Sequence, residues 1–152
     1  MTTDTLIGPG FTDPVFQSQG AFRALLAALS EPGTRQRVAG GVAPPDGLHA
    51  ATAIALLTLA VLRDGPAGAW LRFHCGAALV AEPGRAAFAV IGGLSLEPAL
   101  AAFEPGTDQF PDRSTTIIVQ CTELDGGEAV TLRGPGIAGS RVIAPAGLRA
   151  GF

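Results

Sequence analysis

The chain has 152 residues, which suits one domain that buries a core without disulfide or metal staples. All ten cationic residues are arginines scattered singly in a chain of net charge −3, so the clustered positive charge that nucleic-acid binding needs is missing. The sequence contains no lysine, which excludes an internal aldimine with pyridoxal phosphate and a Walker-A phosphate site.

The cellular location is indicated by the cysteines and by the apolar segments. Cys75 and Cys121 are far apart and form no CxxC pair, which favours reduced thiols over a disulfide. Residues 1–10 lack the basic and apolar regions of a secretory signal. The longest apolar stretch, residues 48–62, is shorter than the ~20 residues that span a bilayer. We therefore expect a soluble, cytoplasmic protein.

The first half of the chain is predicted to be mainly helical. Residues 16–29 show apolar side chains at three- and four-residue spacing, with Ser18 as the expected N-cap and Pro32-Gly33 as the stop. Residues 48–62 form the next predicted helix, with Asp46 as its expected cap. Residues 69–73 are typical of the last turns of another helix.

The second half is predicted to be rich in strands. A buried strand is expected over residues 86–91, followed by a short helix at 94–103. Further strands are expected at 114–122, 129–133 and 137–144, with a turn at Asp125-Gly126-Gly127 after the first of them. This order favours an antiparallel meander within an α/β sandwich that has a mixed sheet.

One glycine pattern resembles a dinucleotide-binding motif. Residues 134–139 read Gly-Pro-Gly-Ile-Ala-Gly, which matches G-x-G-x-x-G after a strand. The following residues are β-branched and reach Pro145, so no helix opens there, and no acidic residue follows Glu128. We interpret Pro135-Gly136 as the centre of a type II turn.

Candidate site residues are few. Arg72-Phe73-His74-Cys75 combines a phosphate-binding cation with an imidazole, although packing at a helix end is the alternative role for His74 and Cys75. Residues 112–116, Asp-Arg-Ser-Thr-Thr, offer an arginine and hydroxyls that suit a phosphate, or are a solvated strand entry. With two histidines, of which His49 is expected near a helix cap, we predict no metal site and no cofactor.

Several segments, in order along the chain, resemble the PhnH family of the bacterial carbon–phosphorus lyase system. They are residues 22–33 (FRALLAALSEPG), 55–60 (ALLTLA), 70–80 (WLRFHCGAALV), 106–116 (GT to PDRSTT), 118–120 (IVQ) and 132–137 (LRGPGI). Members usually have an additional segment where this chain has only residues 61–69, and a further C-terminal helix and strand. We therefore expect residues 1–152 to form a single PhnH-like domain that lacks those two parts.

The resemblance implies a fold, partners and an activity. It implies a three-layer αβα sandwich like that of pyridoxal-phosphate-dependent transferases, without the cofactor. It also implies a homodimer that joins the G, I and J subunits of the lyase core complex. That complex transfers an alkylphosphonate onto the ribose of MgATP with release of adenine.

Catalysis in this complex is attributed to the I subunit, so no catalytic residue is carried over and we do not expect this chain to be catalytic alone. We hypothesise that Arg23, Arg72 and His74 contact ATP or phosphonate. A purely structural assembly module and a stand-alone nucleotide-binding protein are the alternatives.

Overall fold

The residues that the structure describes form three helices, four strands and three single 3₁₀ turns. The computed structural model describes residues 10–39, 42–44, 46, 48–59, 66–76, 78–92 and 99–148. The elements are α1 (Pro14–Ser30), α2 (Ala50–Leu59), α3 (Pro66–Cys75), β1 (Phe88–Gly92), β2 (Thr116–Gln120), β3 (Glu123–Leu132) and β4 (Arg141–Ala146). The 3₁₀ turns lie at Pro83–Arg85, Leu100–Ala102 and Pro111–Arg113. The end of the predicted helix at 48–62 and most of the 94–103 segment lie outside the described residues.

Helix α1 begins earlier than its apolar periodicity predicts. Asp13 is the N-cap, and its carboxylate accepts a hydrogen bond from the Phe16 N–H. The predicted cap at Ser18 is wrong because Pro14, whose fixed φ suits the first helical position, starts the helix one turn sooner. The helix ends at Ser30, just before Pro32-Gly33, as the sequence predicted.

The apolar residues of α1 point in two directions. Ala21 is fully buried, and α1 packs against α2. Val15, Phe22, Leu26 and Leu29 are 49–66% exposed, and at 100° per residue they fall within a sector of about 60°. We call these four residues the α1 apolar stripe. The stripe faces solvent because the side of α1 that packs inward is the one that carries the small residue Ala21.

The main core lies between α2, α3 and β1. Trp70 and Leu71 of α3 are almost completely buried and cluster with Ala53 of α2 and Val90 of β1. At the start of α2 the His49 carbonyl accepts from the Ala53 N–H, and the His49 N–H donates to the Gln120 side-chain oxygen at 2.7 Å. His49 therefore occupies the cap region, as expected, whereas the predicted cap Asp46 lies three residues before it.

Strands β1 and β2 form a parallel pair in register from Phe88 opposite Thr116 to Gly92 opposite Gln120. Because successive side chains point to opposite faces, Val90 joins the Trp70 cluster while Ala89 and Ile91 pack with Phe103 on the other side. Both faces of β1 are therefore apolar, which is typical of parallel sheets.

The predicted meander is wrong in its first connection. Strand β2 pairs with β1, and β3 pairs antiparallel with β4, so the described strands form two two-stranded sheets. The expected turn at Asp125-Gly126-Gly127 is instead a register irregularity inside β3. The apolar sequence of β2 suits a place beside the buried β1 better than a place in the exposed hairpin.

These elements confirm the α/β class. The described strands do not form the single mixed sheet that was predicted, because the parallel pair and the antiparallel hairpin are separate. They give no support to a likeness to the pyridoxal-phosphate-dependent transferase fold. No helix among the described residues has the length and apolar character to cross a membrane.

The glycine-rich segment is the turn between β3 and β4. The Ile137 N–H donates to the Gly134 carbonyl at 3.2 Å, and Gly136 has a φ of +78°, as a type II turn requires. The interpretation of Pro135-Gly136 as a turn is therefore confirmed, and a strand follows it instead of the helix that a dinucleotide site needs.

This turn docks onto the C-terminal end of α1. A Cβ atom at Gly136 would lie 2.9 Å from both Pro32 Cδ and the Ser30 carbonyl oxygen. Nearby, the Arg141 guanidinium donates to the Pro32 carbonyl at 2.8 Å. The hairpin and the end of α1 are thus joined by close backbone packing and by one side-chain hydrogen bond.

We predict that Gly136→Ala destabilises the protein more than Gly139→Ala does. Both glycines have a φ near +80°, which costs an alanine about 1–2 kcal/mol. A Cβ at Gly139 would meet no atom within 4 Å, whereas at Gly136 it also pushes the turn away from Pro32. Urea unfolding should show an additional loss of about 1–3 kcal/mol for Gly136→Ala. Equal losses for the two variants would show that the contact does not stabilise the fold.

Candidate functional site

The three predicted ligand-binding residues lie on two different helices. Arg23 is exposed on α1, beside the apolar stripe. Arg72 and His74 lie on α3. Because α1 packs on α2 and α2 on α3, the two predicted parts of the site are on helices that flank α2.

Arg72 and His74 point in different directions from α3. They are two residues apart, which separates their side chains by about 200° around the helix. Arg72 is exposed, whereas His74 is half-buried with its ring 4.5 Å from Trp70 and 5.0 Å from Phe73. A Cβ at Gly10 would lie 2.9 Å from His74 Nδ1, so the residues that lead into α1 pack on this imidazole.

Cys75 has the surroundings of a packing residue. It is half-buried against the Trp70 cluster, and this burial raises the pKa of the Cys75 thiol. A raised pKa keeps the thiol protonated at neutral pH, where only the thiolate is a good nucleophile. Adjacent helical side chains do not face each other, so His74 is not directed at this thiol by their sequence proximity.

A more polar site lies where β1 and β2 begin. A cleft of about 310 Å³ is lined there by Arg85, Glu104, Asp112, Arg113, Ser114 and Thr116, among others. We call this the polar cleft. One wall comes from the 3₁₀ turn before β1 and the other from the 3₁₀ turn before β2. They meet because the two strands are parallel and start at the same edge.

The walls of the polar cleft are joined by Thr115. Its N–H donates to the Glu104 carbonyl at 2.8 Å, and its hydroxyl donates to the Ala86 carbonyl at 2.6 Å. The Thr116 N–H continues the pairing to the Ala87 carbonyl at 2.9 Å. These hydrogen bonds fix the spacing of the backbone segments on the two sides of the cleft.

The loop before β2 also holds its arginine in place. The Arg113 guanidinium carbon lies 4.1 Å from the centre of the Phe110 ring, a cation–π contact. The chain bends at Gly106, where φ is +74° and a Cβ would be 3.2 Å from the Phe110 and Pro111 carbonyl oxygens. Glycine is favoured there because the loop closes tightly on itself.

A second cleft of about 120 Å³ lies beside β1 and the residues before it. Its lining is mainly apolar and includes Phe88, Val90 and Phe103, with Glu82 as the ionisable side chain. It is therefore less suited than the polar cleft to a charged ligand. Within the described parts of the chain, no group of three or more His, Cys, Asp or Glu side chains is arranged to hold a metal ion.

The end of the segment 106–116, through which the sequence resembles a known family, lines the polar cleft, and comparison with known proteins agrees with that resemblance. The family of bacterial phosphonate metabolism proteins called PhnH matches residues 9–152. The chain belongs to the PhnH family. One relative is the alpha-D-ribose 1-methylphosphonate 5-triphosphate synthase subunit PhnH of Rhizobium meliloti (strain 1021). The two sequences are 36% identical over 159 aligned positions, gaps included, and the match covers 97% of this chain and 80% of that protein.

The segments that carry the PhnH resemblance have distinct places in the structure. Residues 22–33 and 132–137 meet where the hairpin turn packs on Pro32. The segment 70–80 supplies Trp70 and Leu71 to the core, and 106–116 builds one wall of the polar cleft. Residues 118–120 are the second half of β2.

Sequence reasoning found half of the polar cleft. It marked residues 112–116 as a possible phosphate contact but missed Arg85 and Glu104. Arg85 directly precedes the strand predicted at residues 86–91 and was given no role. Arg85 can be identified by its position just before a buried parallel strand. That position becomes informative only when the pairing of β1 with β2 is known.

Proposed function

We propose that this protein is a subunit of ribose 1-methylphosphonate 5-triphosphate synthase in the breakdown of organic phosphonates. In the proposed reaction an alkylphosphonate oxygen forms the new bond to ribose C1 of MgATP, and the bond from C1 to adenine breaks. The observation that carries the proposal is the 36% identity, over 97% of the chain, to a protein named as this subunit.

We further propose that the protein acts with partner subunits of the G, I and J types. The α1 apolar stripe supports this proposal, because monomeric proteins rarely leave a contiguous apolar patch in water. Its four large side chains are at least 49% exposed, on a helix whose other side is already packed on α2. A partner subunit covering the stripe would bury these side chains at about 25 cal/mol per Å².

The proposal also covers the oligomeric state, the location, the ligand contacts and the fold of this protein. We propose a cytoplasmic homodimer in which Arg23, Arg72 and His74 contact ATP or phosphonate. We also propose one PhnH-like domain with a shortened connection at residues 61–69. We also propose that the fold is a three-layer αβα sandwich, because β1 has apolar residues on both of its faces.

Two other functions make different predictions. A purely structural module should support the complex even when Arg72→Ala and His74→Ala are combined, so loss of activity in a normally assembled complex would exclude it. A stand-alone nucleotide-binding protein should release or absorb heat on titration with ATP or NAD. The turn at Gly134–Gly139 does not favour the latter, because a strand rather than a helix follows it.

Deletion of the gene should abolish growth on methylphosphonate as the sole phosphorus source. The reason is that phosphonate must be attached to ribose before its phosphorus can be released. Growth on inorganic phosphate is the control and should be normal. Normal growth of the deletion strain on methylphosphonate would contradict the proposed function.

Leu26→Glu with Leu29→Glu should prevent co-purification with the partner subunits while the protein stays folded. Charges placed on the stripe must be desolvated when a partner covers it, so association should weaken at least about tenfold, or 1.4 kcal/mol. Leu124→Glu is the matched control, because Leu124 is 57% exposed on β3, within the range of the stripe leucines. Co-purification that survives the double substitution would exclude the stripe as the partner surface. Loss of self-association alone would identify a second copy as its occupant.

A further inference from the structure

The polar cleft combines two kinds of charged group that are not paired with each other. It contains two arginines, Arg85 and Arg113, and two carboxylates, Glu104 and Asp112. Among the described residues, neither arginine forms an ion pair with either carboxylate; the ion pair found there joins Arg35 to Asp125, which are not part of the cleft. All four charged groups are therefore available to a ligand.

The charges of the polar cleft select against a simple anion. Two positive and two negative groups cancel, so the cleft does not attract a bare phosphate over a long distance. A suitable ligand presents an oxyanion to the arginines and hydrogen-bond donors to the carboxylates. Guanidinium groups bind phosphate through two parallel hydrogen bonds, and carboxylates accept hydrogen bonds from ribose hydroxyls.

The size of the polar cleft and the contacts that fix its walls also favour a phosphorylated sugar. The cleft volume of about 310 Å³ is at the lower end of ligand sites, which suits a phosphorylated sugar better than a whole nucleoside triphosphate. Thr115 ties the two walls together, and Phe110 supports the Arg113 guanidinium. The backbone of the cleft and the Arg113 side chain are therefore held before a ligand binds, which lowers the cost of ordering them on binding.

We propose that the polar cleft binds a phosphorylated pentose, with Arg85 and Arg113 on the phosphate and Glu104 and Asp112 on the sugar hydroxyls. The choice of ribose as the pentose rests on the proposed function; the need for both an oxyanion and hydroxyls does not. This assigns the ribose phosphate part of the synthase substrate or product to this subunit.

Titration calorimetry of the purified protein with ribose 5-phosphate tests the inference. We expect saturable binding, with inorganic phosphate and ribose each at least about tenfold weaker because each satisfies only one of the two pairs. Inorganic phosphate binding as tightly as ribose 5-phosphate would overturn the assignment of a sugar. Absence of ribose 5-phosphate binding would overturn the site itself.

Three variants locate the binding. Arg113→Gln and Glu104→Gln should each weaken ribose 5-phosphate binding about tenfold, since each removes a charged hydrogen-bond partner. Arg133→Gln removes an exposed arginine beside the β3–β4 turn and should bind like the unmodified protein. Far-ultraviolet circular dichroism and urea midpoints check that all three fold. Unchanged binding by folded Arg113→Gln and Glu104→Gln would place the ligand elsewhere.

The experiments distinguish failure of the cleft assignment from failure of the proposed function. If ribose 5-phosphate does not bind but the deletion strain still cannot grow on methylphosphonate, the cleft assignment is wrong and the proposed function stands. If ribose 5-phosphate binds through Arg113 and Glu104 but the deletion strain grows normally, the cleft is a pentose phosphate site in a protein of another function.

Discussion

The burial of Trp70 and Leu71 is the interaction on which the rest of the structure depends. Both side chains are at most 2% exposed, and they join α3 to α2 and β1 in one cluster. Their position fixes the rotation of α3, which turns Arg72 outward and sets His74 beside Trp70. It also holds β1 in place, and β1 in turn aligns β2. The position of the polar cleft follows from that alignment.

Local patterns predicted where helices and strands occur better than how they pair. Apolar patterns located α1 and α2, residues 69–73 marked the end of α3, and β-branched residues located β2, because these signals arise within a few neighbouring residues. The parallel pairing of β1 with β2 was not predicted. It depends on contacts between residues 28 positions apart, such as Phe88 and Thr116, that no short window contains. For the same reason the turn at 134–137 was recognised, but its packing on Pro32 was not.

The candidate site shows the same limit. Arg113 and the hydroxyls after it were noticed because they are adjacent in sequence, whereas Arg85 and Glu104 reach the polar cleft only through the strand pairing. Periodicity showed that apolar residues of α1 share a side but did not show that Leu26 and Leu29 remain exposed. A subunit interface and a core face have the same sequence pattern. The proposed partner surface on α1 would give the stripe its role in the assembled synthase.

The proposal that this PhnH family member completes a synthase is tested most directly by measuring the release of adenine. Purified G, I and J type subunits would be supplied with MgATP and methylphosphonate, with and without this protein, and free adenine would be measured over time. The account predicts that adenine forms with methylphosphonate dependence only when the protein is added. Release at the same rate in its absence would contradict the central claim.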